Sequence, residues 1–340
     1  MRKTSLRLML GAMLSAVMLV TGCGGQATSS SSSSSSTPAA AASTTTPAPA
    51  PSASEEREVK HFMGSTKIKG TPQRVVALTS ESTEAVLALG ITPVGAVMSG
   101  LGKPGDPWHP HIKEKMKDAV DLGDENQPNV ELIASLKPDL ILGTKGRQGQ
   151  EKVYDQLSTI APTVFSEDLV GRWKINFALY SEALNKKAEG DKLMADFDKK
   201  IEDAKGKLGD KTKMKVSVAR FVAGTTRLYL KDTFSGVVLS QLGFARPASQ
   251  DIDKFKKDIP KELMAEMDGD IMFYWVGDYS GDGSANKYTE EWMKDPLYQK
   301  LNVAKNNKAF QVNEVIWNVG GGILSAELLV DDIVERFSKL

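Results

Sequence analysis

Between Arg74 and Phe337 the chain repeats one rhythm twice: a short apolar run, a polar exit, a helical stretch, and a glycine or proline stop. This alternation constrains the fold more than any other feature. Strands buried on both faces read as unbroken apolar runs, and the helices between them cover a parallel sheet. In the first series residues 75–78, 93–97, 139–143 and 163–165 read as strands. The helices fall at 83–89, stopped by Gly90, at 129–136, closed by Pro138, and at 153–160. In the second series 215–221, 270–276 and 309–312 read as strands. Helices are expected at 234–242, stopped by Gly243, at 260–267 with Pro260 in its first turn, and at 324–337. Between the two series, residues 173–208 form a proline-free amphipathic stretch with Phe177, Tyr180, Leu184, Leu193 and Phe197 on its apolar positions. It exceeds the usual helix length, so Gly190 marks a candidate bend. The reading is α/β: one lobe over 58–170, a bridging helix over 171–210, and a second lobe over 211–340.

The two series share a local pattern. Glu131-Leu132-Ile133-Ala134 leads through a turn to Asp139-Leu140-Ile141, and Glu262-Leu263-Met264-Ala265 leads to Asp270-Ile271-Met272. Each presents a glutamate at a helix start, then a turn, then an apolar strand. A first-turn glutamate by itself is explained by the helix dipole, worth about 0.3–1 kcal/mol.

The beginning of the chain reads differently. Arg2, Lys3 and Arg7 precede an apolar stretch too short for a comfortable membrane span, and Val20-Thr21-Gly22-Cys23 follows. Small residues before a cysteine resemble the lipobox of bacterial lipoproteins. That resemblance implies a signal peptide over 1–22 and a lipid on Cys23, anchoring the chain on the extracytoplasmic face of a cell membrane; the stretch from Thr163 to Lys174, which resembles Gram-positive receptors, points to a Gram-positive-type envelope. Cys23 is the single cysteine, so an intramolecular disulfide and a cysteine metal site are excluded. The Ser, Thr, Ala and Pro tract over 23–57 has little to bury and is expected to be a disordered tether. The chain balances 43 basic against 43 acidic residues, which argues against nucleic acid as a partner.

Arg74-Val75-Val76-Ala77-Leu78, then Ala88-Leu89-Gly90-Ile91-Thr92-Pro93-Val94-Gly95, then Leu136-Lys137-Pro138-Asp139-Leu140-Ile141 resemble the first lobe of the iron–siderophore and cobalamin class of periplasmic-type binding proteins. The run from Leu301 to Val312 resembles a late segment of the same family. The resemblance covers nearly everything after residue 58. It implies two Rossmann-like lobes with mainly parallel sheets, joined by one long rigid helix, with the ligand held between them. It implies a monomeric receptor, not an enzyme, that hands a ferric siderophore to the permease of an ABC importer. It also implies that one glutamate per lobe docks on the permease, and the matching positions are Glu131 and Glu262. No cofactor is expected; the ligand is the iron–siderophore complex.

Ligands of open parallel sheets sit beyond the carboxyl ends of the strands. A ferric siderophore is bulky and oxygen-rich, so its receptor needs guanidinium groups and aromatic walls rather than metal ligands. The candidates are therefore Arg220, Arg147 and Lys145, with Ser80 at the end of the first strand and Trp108, Trp173, Trp275, Tyr279 and Trp317 as aromatic walls. Arg220 ends an apolar strand, where burial without an anion is unfavourable, and it matches an arginine of the hydroxamate-type members. The stretch from Thr163 to Lys174 resembles receptors for hydroxamate or mixed carboxylate–hydroxamate siderophores. Haem, cobalamin and ferric citrate stay open as ligands of the same fold.

A bare metal-ion receptor needs converging histidines and carboxylates. The chain has His61, His109 and His111; the last two flank Pro110 in a loop and read as surface residues, so no metal site is expected. An extracellular enzyme would need a nucleophile, base and orienting group, and no Gly-x-Ser-x-Gly or Walker-type motif is present. Gly320-Gly321-Gly322 before the last helix reads as a bend or close-packing element.

Overall fold

The computed structural model describes residues 55–168 and 171–340. The expected signal segment, Cys23 and nearly all of the tether lie outside the described residues. The tether boundary at 57 moves, because β1 (Glu56–His61) already pairs antiparallel with β2 (Gly64–Lys69). This hairpin is pinned to the first lobe: Thr66 Oγ1 donates to the Thr163 carbonyl at 2.8 Å, and the Phe62 amide donates to that of Phe165 at 3.1 Å.

The first sheet contains β3 (Val75–Ala77), β4 (Gly95–Ala96), β5 (Val120–Asp121), β6 (Leu140–Thr144) and β7 (Thr163–Ser166). Their order is β5-β4-β3-β6-β7, and every pair is parallel. Helices α1 (Ser80–Ala88), α2 (Val130–Ser135), α3 (Gln148–Lys152) and α4 (Tyr154–Ile160) connect them. β3 and β6 are buried along their whole length, as their unbroken apolar runs require.

The expected single bridge is two helices, α5 (Trp173–Ala183) and α6 (Lys187–Leu208). The chain turns at Asn185, whose φ of 57° lies in the left-handed region that asparagine tolerates. Gly190 therefore marks no bend. It lies inside α6, where a Cβ would sit 2.2 Å from Ser181 Oγ on α5, so glycine there lets the two helices approach.

The second sheet contains β8 (Val216–Val222), β9 (Thr225–Tyr229), β10 (Lys256–Ile259), β11 (Ile271–Val276) and β12 (Ala309–Gln311). Its order, β10-β9-β8-β11-β12, repeats that of the first sheet strand for strand. β9 alone runs backwards, antiparallel to both neighbours, after a tight turn through Ala223 and Gly224 (φ 74°). Helices α7 (Phe234–Gln241), α8 (Ser284–Lys294), α9 (Asn302–Lys305) and α10 (Ile323–Ser338) pack around it. The helix expected at 260–267 is a 3-10 segment, Lys261–Met267, with Pro260 at its cap.

The internal repeat has a physical basis. Asp139, one residue before β6, accepts the amides of Gln73 and Arg74 just before β3, at 2.8 and 2.9 Å. Asp270, one residue before β11, accepts the amide of Lys215 just before β8, at 2.7 Å. In each lobe the same aspartate ties together the starts of the two central strands. The lobes are not separate bodies, however. One apolar cluster runs from Val75 and Leu142 through Trp173 and Phe197 to Val218, Phe273 and Leu329. Among the described residues no helix is long and apolar enough to cross a membrane.

Candidate ligand cleft

In the order β5-β4-β3-β6-β7 the chain reverses its direction of winding between β3 and β6, and the ends of these strands open a crevice there. Ser80 and Glu81 follow β3, Gly146 and Arg147 follow β6, and all four line one cleft of about 320 Å³. Glu125 and Asp168 complete this wall. Thr79 fixes the first two by capping α1: its Oγ1 accepts the Ser82 amide at 2.9 Å, and Ser82 Oγ accepts the Thr79 amide at 3.1 Å. The opposite wall comes from the second lobe, with Arg220, Arg227, Tyr229, Phe234, Phe255 and the run from Asn318 to Gly321.

The hairpin of β8 and β9 sets the charge of this second wall. Its register places Arg220 directly opposite Arg227, and Arg227 opposite Asp258 on β10. Arg227 makes a two-pronged bond to Asp258 at 2.6 and 3.3 Å. Arg220 makes no ion pair among the described residues. Its Nη1 donates to the Tyr279 hydroxyl at 3.1 Å, and that hydroxyl donates to Glu314 Oε1 at 2.6 Å. The guanidinium carbon lies 5.9 Å from the Tyr229 ring and 5.7 Å from the Tyr279 ring, within cation–π reach. Its Nε is buried without a hydrogen-bond partner among the described residues. The nearest carboxylate along this chain, Glu314, has its pKa raised by burial.

The first wall is acidic, but muted. Arg147 Nη2 contacts Glu125 Oε1 at 2.6 Å, and burial raises the Glu125 pKa against the pull of that arginine. Glu81 is 4% exposed, and burial pushes its carboxyl up to about 8, reinforced by Glu84 and Asp168. It is therefore largely protonated at neutral pH, with Oε1 left without a hydrogen-bond partner among the described residues. Asp168 faces Arg172, whose nearer bond, at 2.7 Å, is to Glu167.

Of the expected residues, the cleft brings together Arg220, Arg147 and Ser80, with Tyr279 as the direct partner of Arg220. Lys145 is exposed and does not line the cleft. Trp173 and Trp275 are core residues one layer behind it. Trp173 packs edge-on at 6.2 Å against Phe234, and Trp275 packs at 4.7 Å against Tyr229, so the smaller rings form the wall and the indoles support them. Trp317 is fully buried against Phe273, and its Nε1 donates to Asp332 Oδ2 at 2.7 Å. Trp108 is 8% exposed and lines a different hollow with Leu101, His109 and Val315. The apolar area of an indole drives it inward, which these tryptophans illustrate. Sequence reasoning missed Tyr229 and Phe255. For Tyr229 the signal was the run Thr225-Thr226-Arg227-Leu228-Tyr229 directly after Gly224, whose β-branched and aromatic residues read as the second strand of a hairpin.

The two loop histidines are a second correction. His109 is 3% exposed, and His111 is largely buried. His111 Nε2 lies 2.8 Å from Glu84 Oε1, while Glu84 also accepts the Ser325 amide at 2.8 Å and the Ser325 hydroxyl. These bonds tie α1 of the first lobe to α10 of the second. Gly322 makes room, since a Cβ there would sit 2.7 Å from Glu84. Glu131 and Glu262 are both exposed, and neither carboxylate makes a hydrogen bond or ion pair among the described residues.

Known proteins resemble the chain along most of its length. The sequence model described as periplasmic binding protein matches residues 75–315. A Bacillus subtilis protein named "Probable siderophore-binding lipoprotein YfiY" is 44% identical, over 97% of this chain and 98% of its own length. The "Fe(3+)-citrate-binding protein YfmC" of the same organism is 29% identical, over 84% of this chain and 87% of its own. The crystal structure of Staphylococcus aureus SirA complexed with staphyloferrin B superposes with a TM-score of 0.76 at 37% identity, covering 83% of this chain and 98% of SirA.

Proposed function

The chain belongs to the periplasmic binding protein family, and from that premise we propose that it captures a ferric siderophore between its lobes and delivers it to an ABC importer. The observation that carries this reading is Arg220: a guanidinium in the interlobe cleft, flanked by two tyrosine rings and held by a phenol rather than a carboxylate. Its charge is free to meet the oxygens of an anionic chelate, and Tyr229, Phe234 and Phe255 offer apolar surface to the carbon frame. The iron needs no protein ligand in this arrangement. The siderophore-binding name of the 44% identical relative and the staphyloferrin B bound to SirA support the same ligand class.

Within that class the reading is a hydroxamate or mixed carboxylate–hydroxamate siderophore. A second reading is ferric citrate, supported by the name of the 29% identical relative. Glu131 and Glu262, exposed and repeat-related, are the docking points for the permease, and Cys23 carries the lipid that holds the receptor at the extracytoplasmic face of the membrane. The receptor works as a monomer and performs no chemical conversion.

Titration of intrinsic fluorescence with a panel of ferric siderophores, ferric citrate, free iron, haem and cobalamin tests the ligand class. Saturable quenching by one or more ferric siderophores is expected, and a response to free metal alone would overturn the reading. Charge reversal at Glu131 and Glu262 should leave affinity intact and abolish uptake; uptake that survives the double reversal removes the docking role.

A further inference from the structure

Glu84, His109 and His111 each place one ligand-capable atom within 4.8 Å of the others. We propose that these three residues form a site for a divalent transition-metal ion at the seam between the lobes, distinct from the siderophore cleft. Glu84 sits one turn along α1 from the cleft residue Glu81, with its side chain fully buried. A carboxylate and two imidazoles suit zinc and its neighbours, and three protein ligands leave a position for water.

The state of His109 is the independent sign. Its Nε2 lies 2.5 Å from the Gly100 carbonyl, which accepts only, so Nε2 carries the proton. Nδ1 then keeps its lone pair, and it is buried without a hydrogen-bond partner among the described residues. A histidine that donates through one nitrogen to a backbone carbonyl, leaving the other free, is oriented as metal-bound histidines are. His111 is stacked on His109 with ring centroids 5.7 Å apart, and its Nε2 shares a proton with Glu84 Oε1 across 2.8 Å. An ion would take the place of that proton. Because Glu84 is also bonded to Ser325, the ion would tie the His109–His111 loop, α1 and α10 into one unit.

The test uses the full chain after treatment with a chelator. Zinc titrated calorimetrically should bind with one-to-one stoichiometry, and cobalt should give visible bands of a low-coordinate nitrogen and oxygen site. His109→Ala and His111→Ala should each weaken binding at least tenfold, whereas His61→Ala, in the N-terminal hairpin, should leave it unchanged. Glu84 variants risk unfolding, so the histidine variants carry the test, with circular dichroism to verify their fold. No saturable binding, or binding retained in both His109 and His111 variants, would overturn the site.

Discussion

The two sheets have the same strand order and the same aspartate clamp at their central strands, yet they offer the cleft opposite walls. The first lobe presents Ser80, a protonated Glu81 and an Arg147 already matched by Glu125. The second presents two adjacent arginines backed by aromatic rings, one of them unmatched by a carboxylate. The architectural difference is a single reversed strand. With β9 antiparallel to β8, residues that would be far apart in a parallel crossover face each other across one hairpin, and Arg227 lands beside Arg220. One wall therefore attracts an anion while the other avoids repelling it. Shared topology sets where the ligand sits, and the local departure from it sets the sign of the charge it meets.

The largest effect should come from the seam that joins the halves. Glu84→Ala leaves the Ser325 amide and hydroxyl and His111 without their acceptor in a buried place, and should lower stability by about 3 kcal/mol. Chemical denaturation checks it; a loss under about 1 kcal/mol would mean the lobes hold together without this contact. Next, Arg220→Gln should weaken binding of a ferric siderophore by about 2–3 kcal/mol, roughly 30- to 150-fold. A change under threefold in a fluorescence titration would remove the contrast between the walls.

The third test is one of pH. The Glu81 carboxyl is raised from 4.5 to about 8, so the folded state holds a proton that the unfolded state releases between these values. Its contribution to stability is fully present below pH 4.5 and is lost as pH rises towards 8. Glu81→Gln should flatten that part of the stability profile; an unchanged slope would show Glu81 ionised and the first wall negative. The smallest effect belongs to Arg147→Gln. Its charge is already engaged by Glu125, so affinity should fall by less than tenfold, about 1.4 kcal/mol at most. A loss equal to that of Arg220 would make the two walls equivalent.

Much of this architecture was legible in the chain. Unbroken apolar runs locate the central strands of both sheets, and the paired Glu-Leu-x-Ala segments mark the repeat. Arg220 was legible because a charged residue near the end of an apolar strand has few destinations. The tryptophans were not, since pattern alone does not say on which side of a strand or helix the cleft opens, and indoles serve core and wall equally well. The break at Asn185 was hidden because the amphipathic period continues on both sides of it. Phe234, Asn318 and the Glu84–Ser325 contact depend on the two halves meeting, which no local window contains.

The shared apolar cluster has a practical consequence. Cutting the gene at the bridge to produce each half alone would strip Trp173, Phe197 and Leu329 of neighbours supplied by the missing part. Each fragment would carry a sticky, water-exposed face and would tend to aggregate rather than fold. Mixing the halves should restore a soluble particle only if they are refolded together. Ligand-induced movement must likewise be small enough to leave that common interior intact.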